Sequence, residues 1–163
     1  SGPRHVPLVI ETRFGDVTHL GTRYQLRVTA NALSVGVREG VVEVASAQGK
    51  ASVQSRQALK IDKSGQVTHS NLSTYGDEWV WVDALAPRYD IENRSLKDFL
   101  SWAASETGRS LEYADTATET AAMSTVLHGG SGTFTPEQAI TAILPTTDFT
   151  ARYNDERMII SRR

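Results

Sequence analysis

The chain has 163 residues, 39% of them apolar and 22% charged, with a formal net charge of −2. That length suits one globular domain or two small ones, and neither residues 1–86 (9 Lys/Arg against 8 Asp/Glu) nor residues 87–163 (8 against 11) carry the basic excess of a nucleic-acid surface. The chain has no cysteine, which removes disulfides, thiolate catalysis and thiolate metal sites, and no apolar run nears the roughly 18 residues of a membrane helix. It opens Ser-Gly-Pro, without Met or a signal sequence. The expectation is a piece of a longer protein, with any targeting or membrane segment upstream.

Residues 6–69 read as β throughout. Val6 to Thr12 is apolar and β-branched, Gly15-Asp16 turns, and Val17 to Leu20 follows. Tyr24, Leu26 and Val28 alternate with Arg23, Gln25 and Arg27, a period of two. Ala30-Asn31 turns into Leu33, Val35 and Val37, and Glu39-Gly40 turns into Val41 to Ala45. Gln48-Gly49 turns into Ala51 to Val53; Leu59 and Ile61 mark a further strand, and Ser64-Gly65 turns into Gln66 to Thr68. Short strands with regular turn signals predict an all-β module: a small antiparallel sandwich, a barrel or a solenoid-like coil.

The landmarks Phe14-Gly15-Asp16-Val17, Leu20-Gly21-Thr22, Tyr24, Leu26, Val28, then Glu39-Gly40, Val42, Val44, and later Gln57-Ala58-Leu59, Ile61 and Gly65 resemble the FecR domain. Arg56 stands before Gln57 where that family has Gly, so this turn is expected to differ. The resemblance implies a periplasmic part of a sigma-factor regulator.

Residues 70–78 are polar and turn-rich and read as a connection, dividing the chain into modules 1–78 and 79–163. Trp79-Val80-Trp81-Val82 then reads as a strand, with both tryptophans on one face. Trp79, Trp81 and Tyr89 are the candidate partner-binding residues. Core packing competes with that role for the tryptophans, whereas tryptophan enrichment at binding hot spots favours it.

From Tyr89 the pattern changes. Tyr89-Asp90-Ile91 is expected as a strand. Ser95 caps a helix whose apolar face is Leu96, Phe99, Leu100, Ala103 and Ala104, and Gly108 stops it. Leu111 and Tyr113 alternate in a strand. Thr135-Pro136-Glu137-Gln138 opens a second helix with a capping box, Ala139, Ile140, Ile143 and Leu144 face the core, and Pro145 ends it. Phe149 to Tyr153, an Asn154-Asp155 turn and Met158-Ile159-Ile160 close the chain as two strands. Helices of about three turns cannot bury a face alone, so both are expected to lie on one small sheet.

This second pattern, with Leu127-His128-Gly129 between its halves, resembles the short secretin/TonB N-terminal (STN) domain, which implies two β-α-β units. The fold class expected is therefore α+β, an all-β FecR-like module followed by an STN-like module. FecR followed by STN is the order found in FecR-type anti-sigma factors. That order implies binding to the signalling domain of an outer-membrane TonB-dependent transporter, with the sigma factor reached only through an upstream segment. The expected setting is the periplasm, anchored in the inner membrane, and this part of the chain is expected to be a monomer.

No site chemistry competes with this. His5, His19, His69 and His128 lack metal-ligand spacing. Gly129-Gly130-Ser131-Gly132 is followed by Thr133, which breaks both the nucleophile-elbow and the phosphate-loop frames and leaves a loop before a helix start. Asp90/Glu92 and Asp155/Glu156 read as solvated edges. Catalytic residues, cofactors and metals are all expected to be absent. The rival reading is an envelope protein binding glycan or peptidoglycan, with Trp79 and Trp81 as a sugar-stacking platform.

Overall fold

The computed structural model describes residues 7–19, 21–129, 134–154 and 156–163. Val6, Leu20, His5, the Gly130 to Thr133 part of the glycine-rich loop and Asp155 of the final turn lie outside the described residues. The fold is α+β, and the chain divides into two units, Ser1–Thr74 and Tyr75–Arg163.

The first unit holds eight strands: β1 (Leu8–Thr12), β2 (Gly15–His19), β3 (Arg23–Val28), β4 (Ala32–Glu39), β5 (Val41–Ser46), β6 (Gly49–Gln54), β7 (Gln57–Asp62) and β8 (Val67–Asn71). They form two four-stranded antiparallel sheets, ordered β1-β2-β5-β6 and β3-β4-β7-β8. Successive hairpins thus alternate between the sheets. Val17, Val42, Val44 and Val53 from one sheet meet Leu33, Val35, Val37, Leu59 and Ile61 from the other in a single core. Full burial of each Val or Leu is worth about 1.5–3 kcal/mol, and this supplies the cohesion of a unit with no helix.

Two turns differ from the sequence reading. Gly15 and Gly49 each begin a strand, so the bends lie one step earlier, at Arg13-Phe14 and Ala47-Gln48. Gly15 is required there because a Cβ would collide with the Ala45 carbonyl of the adjacent strand. Arg56, at the position where the FecR pattern carries Gly, has φ 70°, the left-handed region that glycine enters without a Cβ penalty.

The second unit begins with a 3-10 turn, Asp77–Trp79, and a single turn of helix, α1 (Val80–Asp83). The expected Trp79–Val82 strand is therefore helical. Alternating large apolar residues suit a pleat only when a partner strand is present, and none pairs here. The expected strand at Tyr89–Ile91 is also absent; only β9 (Arg94–Ser95) pairs.

Then follow α2 (Leu96–Thr107), β10 (Ser110–Tyr113), α3 (Thr116–Ser124), β11 (Val126–Leu127), α4 (Pro136–Ile143), a 3-10 turn at Leu144–Thr146, β12 (Phe149–Asn154) and β13 (Arg157–Arg162). The order strand–helix–strand recurs in β9-α2-β10 and β11-α4-β12. Both helices pack in one core with the sheet β10-β13-β12, which takes one strand from each of these two units, so they lie on one small sheet as expected from the sequence; the first strands of the units stand apart from it. Their first strands pair with each other, β11 with β9, whereas β10 and β12 flank β13.

The caps are those read from the sequence. Ser95 Oγ accepts Asp98 N–H at 3.0 Å, and Gly108 ends α2 at φ 70°. Thr135 Oγ1 accepts Gln138 N–H at 3.3 Å while Gln138 Oε1 accepts Thr135 N–H at 3.0 Å, a complete capping box. Helix α3 gave no signal because Thr118 and Ala122 are its buried residues, so no apolar stripe marks it. Asp115 caps it, accepting Thr118 N–H at 2.6 Å.

Leu96, Phe99, Leu100, Met158 and Ile160 are fully buried in the core of this unit. Phe99→Ala should cost about 3–5 kcal/mol, because it removes a ring and leaves a cavity. Thr135→Ala should cost about 1 kcal/mol through its lost cap. Denaturant melts check the order; equal costs would show that the buried face is misassigned.

Candidate partner-binding site

The three sequence candidates do not share one surface. Trp79 is 1% exposed, with its backbone N–H donating to Gly76 C=O at 2.9 Å. Its indole is a packing residue and is not available as an exposed anchor. Trp81, two residues on, is 48% exposed, beside Val80 at 59% and Leu85 at 73%. The helical turn separates the two rings, so they do not make a flat stacking platform.

Tyr89, in the segment before β9, is half-buried against α2. Its ring stacks on Trp102 with centroids 5.0 Å apart and tilts against Phe99 at 6.1 Å. Burial, with the charge of Asp98 second, raises its hydroxyl pKa. Tyr89 thus fixes the chain between α1 and β9 against the helix, a packing role that its residue type alone did not reveal.

Two features escaped the sequence reading. A groove of about 470 Å³ opens between β11 and the entry to β12. Leu127, Ile143 and Phe149 give it apolar walls, and Thr125, His128 and Asp148 line it with polar groups. Its wall residues come from four separate stretches of chain, so no local pattern announces it. The second feature is Arg109, held between two rings, 5.2 Å from the Tyr75 centroid and 5.0 Å from that of Tyr153. It also pairs with Glu137 at 3.0 Å.

Beside the groove, Glu92 ties the β11 exit to the segment before β9. Its carboxylate accepts Gly129 N–H at 2.8 Å and lies 3.3 Å from His128 Nδ1. The Gly129 bond, then the His128 contact, hold its pKa below the ordinary carboxylate value. His19 packs its ring on Tyr24 at 4.8 Å, and among the described residues no group of three or more His, Asp or Glu could hold a metal ion. No helix among them is long and apolar enough to cross a membrane.

No family model matches the chain, and no curated protein matches it. Among solved structures it is similar to two crystal structures described as a candidate anti-sigma factor from Parabacteroides distasonis, at 2.50 and 1.65 Å resolution. Identity is 16% in both, with TM-scores of 0.43 and 0.41. The alignments cover 99% and 96% of this chain and 73% and 72% of those chains. Similarity at this level fixes neither role nor site.

Two outcomes follow for the site residues. Trp79→Ala should lower stability by about 3–5 kcal/mol, whereas Trp81→Ala should change it by less than about 1 kcal/mol; thermal or urea melts check this. The Glu92 carboxyl, lowered in the folded state, contributes stability that is present above its unfolded pKa and is lost as pH falls through the folded value. Urea midpoints of wild type and Glu92→Gln should therefore differ most near neutral pH and converge below the usual carboxylate range.

Proposed function

We propose that this chain is the periplasmic signal-transducing part of a FecR-type anti-sigma factor. In this reading it binds the signalling domain of an outer-membrane TonB-dependent transporter. It passes the state of that transporter to a sigma factor through a segment upstream of the residues here. The reading rests on one observation: the Leu20-Gly21-Thr22 and Glu39-Gly40 landmarks of a FecR-like β unit precede a unit with the Ser95 and Thr135-Pro136-Glu137-Gln138 helix starts, in the family's order.

The physical logic is that of a docking module. Two small units with free sheet edges can add a partner strand through backbone bonds, and pockets beside an edge then select side chains. Neither catalysis nor a cofactor enters the reading. Glycan stacking gains no support, because Trp79 is buried and the pair makes no platform.

Signal transmission needs a reversible complex, so a dissociation constant near micromolar, about −8 kcal/mol, is expected. Calorimetric titration with the transporter signalling domains of the same organism is the test. If folded wild-type protein binds none of them, the transporter-coupled reading fails.

A further inference from the structure

Strand β12 is a terminal strand of its sheet. It pairs with β13 at six successive positions without a register shift, and no described strand lies on its other side. The bond from Arg163 N–H to Asp148 C=O, 2.9 Å, continues that register by one pair and fixes its phase. In antiparallel strands alternate residues bond the partner, so Thr150, Arg152 and Asn154 turn their backbone groups to β13. Phe149, Ala151 and Tyr153 turn theirs outward. Phe149 N–H is taken locally by Thr147 Oγ1 at 3.2 Å. Ala151 and Tyr153 keep outward N–H and C=O groups with no partner among the described residues.

Natural sheets blunt such edges with proline, bulges or charge. Phe149–Asn154 contains no proline and no bulge. Its one charge, Arg152, is exposed, points to the sheet face away from the helices, and has no ion-pair partner among the described residues. The groove begins where the strand begins. Thr147, Asp148 and Phe149 form one wall, Val126 and Leu127 belong to another, and none of the lining residues comes from β13. The groove therefore adjoins the start of β12 and is walled by β11 and α4, not by β13.

We propose that the outer edge of β12 takes an extended strand of a partner protein as a fourth strand of this sheet, with a carboxylate of that strand beside Arg152 and an apolar side chain in the groove. The period of two requires that alternation. A residue on the outer face lies beside Arg152, and its neighbour on the inner face points to the helix side, where Phe149 and Ile143 wall the groove. The inference rests on the reading of the chain as a docking module for a transporter signalling domain, and it names the surface used.

The test is residue-resolved amide hydrogen exchange on the full chain with two probes, a transporter signalling domain of the same organism and a synthetic ten-residue peptide alternating Val and Glu. Saturating signalling domain should slow the Ala151 and Tyr153 amides at least tenfold, and Arg152→Glu, on an exposed position, should weaken binding about tenfold while melting like wild type. Ala151→Pro, which removes one outward N–H, should abolish the protection. If the domain binds while both amides exchange at the free rate and Arg152→Glu binds like wild type, the edge is overturned and the docking function stands. If the domain does not bind but the peptide slows these amides, the edge stands and the transporter reading falls. If neither probe slows them, the edge is overturned.

Discussion

A helix of three turns carries one apolar stripe and cannot bury it alone, and the second unit is built around that constraint. The stripe of α2, from Leu96 through Ala104, is covered by Met158 and Ile160 of β13 together with residues of α4 and β12. Strand β13 can supply two fully buried side chains because strands flank it on both sides, β10 in parallel and β12 antiparallel. The cost of that arrangement falls on the flanking strands, which each keep an unpaired side. The free edge of β12 is thus a direct consequence of how α2 is buried.

The first unit meets the same constraint without helices. Its two sheets bury one another, with Val17 and Val42 facing Leu33 and Val35. The two terminal strands of its second sheet, β3 and β8, differ from β12. Strand β3 carries a register shift at Arg23/Tyr24, and β8 is polar, with His69, Ser70 and Asn71 exposed. A bulge twists an edge away from pairing, and polar residues make it a poor template. At β12 a regular six-residue edge begins beside a groove with apolar walls.

Much of this was legible because it is local. The period of two in Tyr24, Leu26 and Val28, the Ser95 and Thr135 caps and the Gly108 stop depend on residues within one turn or one hairpin, and they lie as read. Failures came where the deciding partner is distant. Trp79 to Val82 has strand-like alternation, but no neighbouring strand exists to pair it, and the backbone closes a helical turn instead. Helix α3 buries only Thr118 and Ala122 fully, with Ala121 partly buried against the core, so its sequence shows no stripe of large apolar residues. The groove was invisible for the same reason as the Arg109 clamp: each is assembled from segments far apart in the chain, such as Tyr75, Arg109 and Tyr153.

The energetics of the proposed edge set a further condition. Ala151 and Tyr153 expose two N–H and two C=O groups, so an added strand can form four backbone bonds there. At a net value of about 1 kcal/mol each these supply about half of a micromolar binding free energy, before any loss of translational freedom and side-chain order. Backbone pairing alone is therefore too weak, and it is also blind to sequence. The deficit has to be met by burying apolar surface in the groove, at about 25 cal/mol per Å². Arg152 then acts mainly on selection, since a carboxylate opposite it is favoured and a like charge is penalised. An edge of this kind binds tightly only to a strand whose alternate residues match both the groove and the arginine, and it lets go readily of every other.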